Sequence, residues 1–221
     1  MSRKQWSAVD AYFTETIVAS DRALEEALAA NSAAGLPTID VSAPQGKLLH
    51  LLARMTGARK ALEIGALGGY STIWLARALP DDGRVVSLEL NERHAAVARE
   101  NIARAGLAGK VEVRTGRALA LLPKIEAEGL GPFDFIFIDA DKTHNPEYIA
   151  WALRLARPGT AIVVDNVVRD GEIAVPSSRD VDAIGTRHMF EMMAREPRLS
   201  ATAIQTVGSK GWDGFALAIV K

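Results

Sequence analysis

Two short hydrophobic runs, each ending in acid and separated by one helix-forming stretch, do most to limit how this chain can fold. The first, Phe133-Asp134-Phe135-Ile136-Phe137-Ile138-Asp139, leads into Ala140-Asp141-Lys142. The second is Thr160-Ala161-Ile162-Val163-Val164-Asp165-Asn166. Short β-branched and aromatic runs that turn polar where they stop read as parallel strands covered on both faces. Open α/β sheets bind ligands at the carboxyl ends of their strands. Asp139, Asp165 and Asn166 are therefore expected to face one crevice, as three hard oxygen ligands for a divalent cation.

The remaining pattern agrees with such a sheet. Residues 4–34 carry Val9, Tyr12, Phe13, Ile17, Leu24 and Leu28 at helical spacings, stopped by Gly35 and Pro37, and are expected to form one helix. A second helix is expected over 44–55, with Leu48, Leu49, Leu51 and Leu52 on its buried side. Strands at 60–64, 84–89 and 111–114 then alternate with helices at 70–79, 91–105 and 118–128. Asn91 is a cap for the second of these helices, and Pro123 bends or shortens the third. After the 133–139 strand comes a helix capped by Asn145, with Pro146 in its first turn and Pro158-Gly159 as its stop. The 160–165 strand, a polar stretch over 169–180 and a helix to about residue 196 follow. Runs at 201–207 and 215–220, joined by 208–214, read as a hairpin. The expected class is α/β: a Rossmann-like, doubly wound, mainly parallel seven-stranded sheet with an antiparallel C-terminal hairpin strand and N-terminal helices. One domain over 1–221 is expected, with 1–35 as a helical appendage.

Composition excludes several functions. Lys and Arg total 26 against 27 Asp and Glu, a net charge of −1, which gives no electrostatic reason to expect nucleic acid or an anionic membrane as partner. There is no Cys, which removes disulfides, zinc-thiolate sites and a Cys nucleophile and fits a reducing compartment. No run approaches ~18 apolar residues and no signal core opens the chain. A cytoplasmic location is expected.

The first expected strand runs into Glu63-Ile64-Gly65-Ala66-Leu67-Gly68-Gly69-Tyr70-Ser71. Glycines there let the backbone turn sharply and approach a ligand. The dinucleotide fingerprint would need Gly at 67 and 70, where Leu and Tyr stand, and no Gly-Lys-Ser/Thr follows to make a phosphate loop. Glu89 closes the next strand, where an acid accepts from a ribose diol. Glu63 suits a cationic ligand and repels a pyrophosphate. These features together point to S-adenosylmethionine, a nucleoside with a sulfonium and an amino-acid tail.

The same segments, Leu62-Glu63-Ile64-Gly65 running into Gly68-Gly69-Tyr70-Ser71, Phe137-Ile138-Asp139-Ala140-Asp141-Lys142 and Asp165-Asn166-Val167, resemble the cation-dependent class I O-methyltransferases. That group contains the catechol and caffeoyl-CoA enzymes, and the likeness is to its small bacterial members, from about Leu36 to the C-terminus. The resemblance implies Asp139, Asp165 and Asn166 as ligands of magnesium, with manganese or calcium as alternatives. It implies Lys142 as general base. Val41, Glu63, Gly65, Ser71, Glu89 and Ala118 are implied as cofactor contacts, and Asp139 belongs to both sets. It also implies a phenolic or catechol substrate and a homodimer. Arg117 and His144 depart from the family pattern, which expects a smaller or acidic residue at the first and a small polar one at the second.

The chemistry is coherent. Methyl transfer from a sulfonium needs an aligned acceptor and an oxyanion. A phenol with a pKa of about 10 is mostly neutral at neutral pH; a divalent ion on two neighbouring hydroxyls acidifies and holds both. A lysine beside a cation gives up its own proton more readily and can take the phenolic one. The histidines at 50, 94, 144 and 188 show no metal spacing, and His144 is the one expected to reach the site. Trp212 and residues 169–180 either shape the acceptor pocket or form a hairpin plug and a solvated loop. Asn145-Pro146-Glu147-Tyr148 superficially resembles a nucleic-acid amino-methyltransferase motif but stands six residues past the strand end. Gly69-Tyr70-Ser71-Thr72-Ile73 lacks the second glycine of a nucleophile elbow. A non-catechol acceptor and an inactive nucleoside-binding module stay open as alternatives.

Overall fold

The computed structural model describes residues 2–18 and 21–221. Its strands are β1 (Lys60–Ile64), β2 (Arg84–Glu89), β3 (Val111–Thr115), β4 (Phe133–Ile138), β5 (Ala156–Asp165), β6 (Leu199–Gly208) and β7 (Gly211–Val220). They form one seven-stranded sheet in the order β3-β2-β1-β4-β5-β7-β6. β1 to β5 run parallel, and β7 is antiparallel to both β5 and β6. The winding direction reverses between β1 and β4, and a doubly wound sheet opens its binding crevice at that reversal.

The helices are α1 (Arg3–Phe13), α2 (Arg22–Ala33), α3 (Ala43–Met55), α4 (Tyr70–Ala78), α5 (Glu92–Arg104), α6 (Ala118–Ala127), α7 (Asn145–Arg154) and α8 (Val181–Arg195). They cover both faces of the sheet. On one face Ile136 and Ile138 of β4 pack with Leu122, Ile149 and Met189 from α6, α7 and α8. On the other, Phe135 and Phe137 pack with Leu49, Ile73 and Ile102 from α3, α4 and α5. Burying each such side chain stabilises the fold by ~1.5–3 kcal/mol. The core thus fixes β4, and with it the place where Asp139 emerges.

The expected single helix over 4–34 is divided into α1, a π-helical turn at Thr14–Val18, and α2. Asp21 caps α2 by accepting the Leu24 N–H at 3.1 Å, and its carboxylate also pairs with Arg77 at 2.6 Å. A cap starts a new helix, so apolar spacing continued across a break it could not reveal. Residues 19 and 20, inside that expected helix, lie outside the described residues. On α3 Leu49 is buried, whereas Leu51, expected beside it, is exposed. Asn91 caps α5 as expected, and α6 runs on through Pro123 to Ala127. Asn145 does not cap α7: it is the first helical residue, fully buried, and His144 precedes it. The hairpin between β6 and β7 is tighter than 208–214, with Gly208 paired to Gly211. No helix among the described residues is long and apolar enough to cross a membrane.

Candidate active site

The carboxyl ends of β1, β2, β4 and β5 open into a cavity of about 930 Å³. That is enough room for a nucleoside-sized ligand and a small acceptor together. Every residue expected in the site lines it except Glu63.

Gly65 carries the turn out of β1. Its φ of 103° is open to glycine, and a Cβ there would stand 2.3 Å from the Asp139 carbonyl oxygen. The two strand ends are thereby pressed together: the Asp139 N–H donates to the Ile64 carbonyl at 2.8 Å. Glu63 lies fully buried behind this turn. Its carboxylate accepts hydrogen bonds from Ser71 at 2.6 Å and from Thr72 and Ser87 at 2.5 Å. Burial pushes its carboxyl up to about 7, against the pull of those three hydroxyls. Glu63 therefore meets the cavity through Ser71.

Glu89 ends β2 with one oxygen accepting the Leu67 N–H and the other the Asn91 N–H, both at 2.8 Å. It braces the glycine turn while facing the cavity. His94 stands 3.6 Å from it and also lines the cavity, so His144 is not alone among the histidines in reaching the site. Ala118, next to the exposed Arg117, and Val41 line the same cavity.

At the other end Asp139 and Asp165 emerge from the neighbouring strands β4 and β5. Lys142, 5% exposed, donates to Asp139 Oδ1 at 2.7 Å. Asp165 is also 5% exposed. It accepts the Asn166 N–H at 2.8 Å on one oxygen and the Gln45 side-chain amide at 2.7 Å on the other. Burial first, and the charge of Asp139 second, push the Asp165 carboxyl up to about 7. Asn166 holds a left-handed backbone, φ 54°, a conformation Asn adopts more readily than most residues. Two crowded carboxylates and one amide are a donor set a hard dication would neutralise. Among the described residues no group of three or more His, Cys, Asp or Glu that could hold a metal ion is gathered.

Three features of the site were not visible in the sequence. Gln45, in the first turn of α3, reaches Asp165 from 120 positions away. Asn101, 1% exposed, donates to the Gly68 carbonyl at 2.8 Å and to Asn31 Oδ1 at 2.9 Å, while Asn31 donates to Asp40 at 2.8 Å. This buried chain ties α2 and α5 to the glycine turn. Asp141 accepts from the Tyr148 hydroxyl at 2.7 Å and pairs with His144 Nδ1, which locks the loop after Asp139. Arg169 lines the cavity, paired with Asp182 at 3.1 Å. Trp212 does not line it: its indole N–H donates to Gln205, and its ring lies against Gly171.

Residues 14–219 match the O-methyltransferase family, and the chain belongs to that family. It is 58% identical over 213 residues to a catechol O-methyltransferase of Mycobacterium tuberculosis, covering 96% of this chain and 95% of the relative. It is 49% identical over 221 residues to the catechol O-methyltransferase of Niastella koreensis, with 100% of each chain covered. Among solved structures, the Bacillus cereus O-methyltransferase in complex with SAH superposes with a TM-score of 0.98 at 58% identity over 100% of both chains. The likeness therefore extends across the whole cavity, N-terminal helices included.

Proposed function

We propose that this chain works as one S-adenosylmethionine-dependent domain that methylates a phenolic hydroxyl of a catechol-like vicinal diol, using a divalent cation held by Asp139, Asp165 and Asn166. The observation that carries the reading is the pair of crowded carboxylates on neighbouring strand ends, with the buried Lys142 donating to Asp139. The names of the two catechol O-methyltransferase relatives support the acceptor class, and the SAH complex of the Bacillus cereus relative supports the cofactor.

When bound, the cofactor supplies a sulfonium-activated methyl carbon, and the cation supplies acidity to the two hydroxyls it binds. The protein does the rest. Lys142, in its uncharged form, accepts the phenolic proton. Ser71 donates its own proton to Glu63, which leaves the Ser71 oxygen free to accept from the ammonium of the amino-acid tail. Glu63 is thus a positioning residue. Val41 flanks the same tail, Gly65 lets the backbone approach it, and Glu89 offers its remaining lone pairs to the ribose diol. Ala118 would border the adenine, and Asp139 would serve both cofactor and cation. Fixing donor and acceptor in line lowers the barrier by removing their freedom to misalign.

A homodimer is the assembly we favour. β6 is an edge strand that leaves Ile204 and Val207 half exposed, and α1 exposes Val9 and Tyr12. Unpaired edges and apolar faces of this kind suit a second copy. The reaction itself is tested with S-adenosylmethionine, magnesium and a panel of phenols. Methylation of vicinal diols but not of their monophenol counterparts is expected, and equal use of both would contradict the reading.

A further inference from the structure

The mouth of the cavity carries a charge pattern that the reaction does not need. Lys210 sits on the two-residue turn between β6 and β7, and Arg3 opens α1; both line the cavity. Lys210 Nζ donates to the Thr38 carbonyl at 3.1 Å, and the Arg3 guanidinium to the Ser209 carbonyl at 3.4 Å. The turn and helix are fastened together, because the Ser209 N–H donates to Asp10 at 2.7 Å. The other cations at this end have carboxylate partners, Lys142 with Asp139 and Arg169 with Asp182. Among the described residues, neither Arg3 nor Lys210 has a carboxylate within 4 Å; both donate to carbonyls. Lys210 is anchored at Thr38, and the chain runs on from there through the cavity-lining Asp40 and Val41 into α3, whose Gln45 donates to Asp165, so the rim adjoins the metal end.

From this geometry, and resting on the function proposed above, we propose that Arg3 and Lys210 select an acceptor whose aromatic diol carries a carboxylate. The two ends of the acceptor then meet opposite fields. Its hydroxyls go to the acid end, where an anionic tail would be repelled by Asp139 and Asp165. Its tail points to the rim, where two cations held by neutral carbonyls keep their charge available for charge-assisted hydrogen bonds. Both cations are exposed, so solvent and salt weaken the attraction, and the effect is one of selectivity rather than of turnover.

The test compares 3,4-dihydroxybenzoate with its methyl ester, under magnesium and S-adenosylmethionine, as the ratio of kcat/KM for acid over ester. A ratio of ~10 or more is expected, the size of one charge-assisted contact. It should shrink in 0.5 M salt, fall towards one in an R3M/K210M double variant, and survive in the charge-conserving K210R. A ratio at or below one in the native chain overturns the proposal, as does a high ratio that persists in the double variant. Preference for an aminoethyl catechol over the ester overturns it as well. Methylation of monophenols with no use of either diol would instead defeat the proposed function, and the inference with it.

Discussion

The Gln45 side-chain amide donates to Asp165 Oδ2 at 2.7 Å, while the Asn166 N–H donates to the other oxygen of the same carboxylate. With both oxygens tethered, Asp165 points its remaining lone pairs one way. Partners of this kind around a metal ligand are typically worth 10–100-fold in affinity. Gln45→Leu is therefore expected to raise the magnesium concentration for half-maximal activity ~10-fold or more. Binding of S-adenosylhomocysteine, measured calorimetrically, should stay within about twofold.

Lys142 is the only amine in contact with Asp139 among the described residues. General-base groups contribute ~10²–10⁴-fold to rate. Lys142→Met should lower kcat by at least about 100-fold while S-adenosylhomocysteine still binds. Near-normal kcat in that variant would remove Lys142 from proton transfer.

Stability should depend on pH in an unusual direction. The Asp165 and Glu63 carboxyls stand at about 7 in the folded chain, against ordinary values of 3.8 and 4.5. Between those limits the folded state binds more protons than the unfolded one. Stability is then full below about pH 4 for these groups and is lost as pH rises through about 7. The metal-free chain should melt several degrees higher at pH 5.5 than at pH 8, on a scale of ~2–4 °C per kcal/mol. Magnesium should raise Tm more at pH 8, where protons no longer compete for Asp165. A metal-free Tm that rises from pH 5.5 to pH 8 would contradict this assignment.

Asn101 serves the Gly68 carbonyl and Asn31 from a site that is 1% exposed. Asn101→Leu leaves those buried groups without a donor, which costs ~1–3 kcal/mol for each. Chemical denaturation should register a loss of about 2 kcal/mol or more. Hydrogen exchange should become faster in both α2 and the glycine turn, since one amide joins them. Faster exchange confined to α5 would show that the two are not coupled.

The strands and the acids at their ends were legible because a two-faced parallel strand leaves a continuous apolar run, as in Phe135–Ile138, with polarity returning at Asp139 and Asp165. Gly65 was legible because a turn there has few alternatives. The separate start of α2 at Arg22 was hidden, since apolar spacing runs on through it and a cap residue looks like any surface Asp. Asn145 looked like a cap because Asn precedes Pro in many helix starts, yet its side chain is packed inside. Gln45, Asn31 and Asn101 are ordinary polar residues on helices, and their partners lie 120, 9 and 70 positions away in sequence. Only the folded chain brings such pairs together.

The most direct measurement is methyl transfer to a vicinal diol after exhaustive chelation, followed by titration with magnesium. Loss of turnover to background, full return with magnesium and no return in Asp165→Ala are expected. Undiminished turnover in the metal-stripped enzyme would contradict a cation held by Asp139, Asp165 and Asn166.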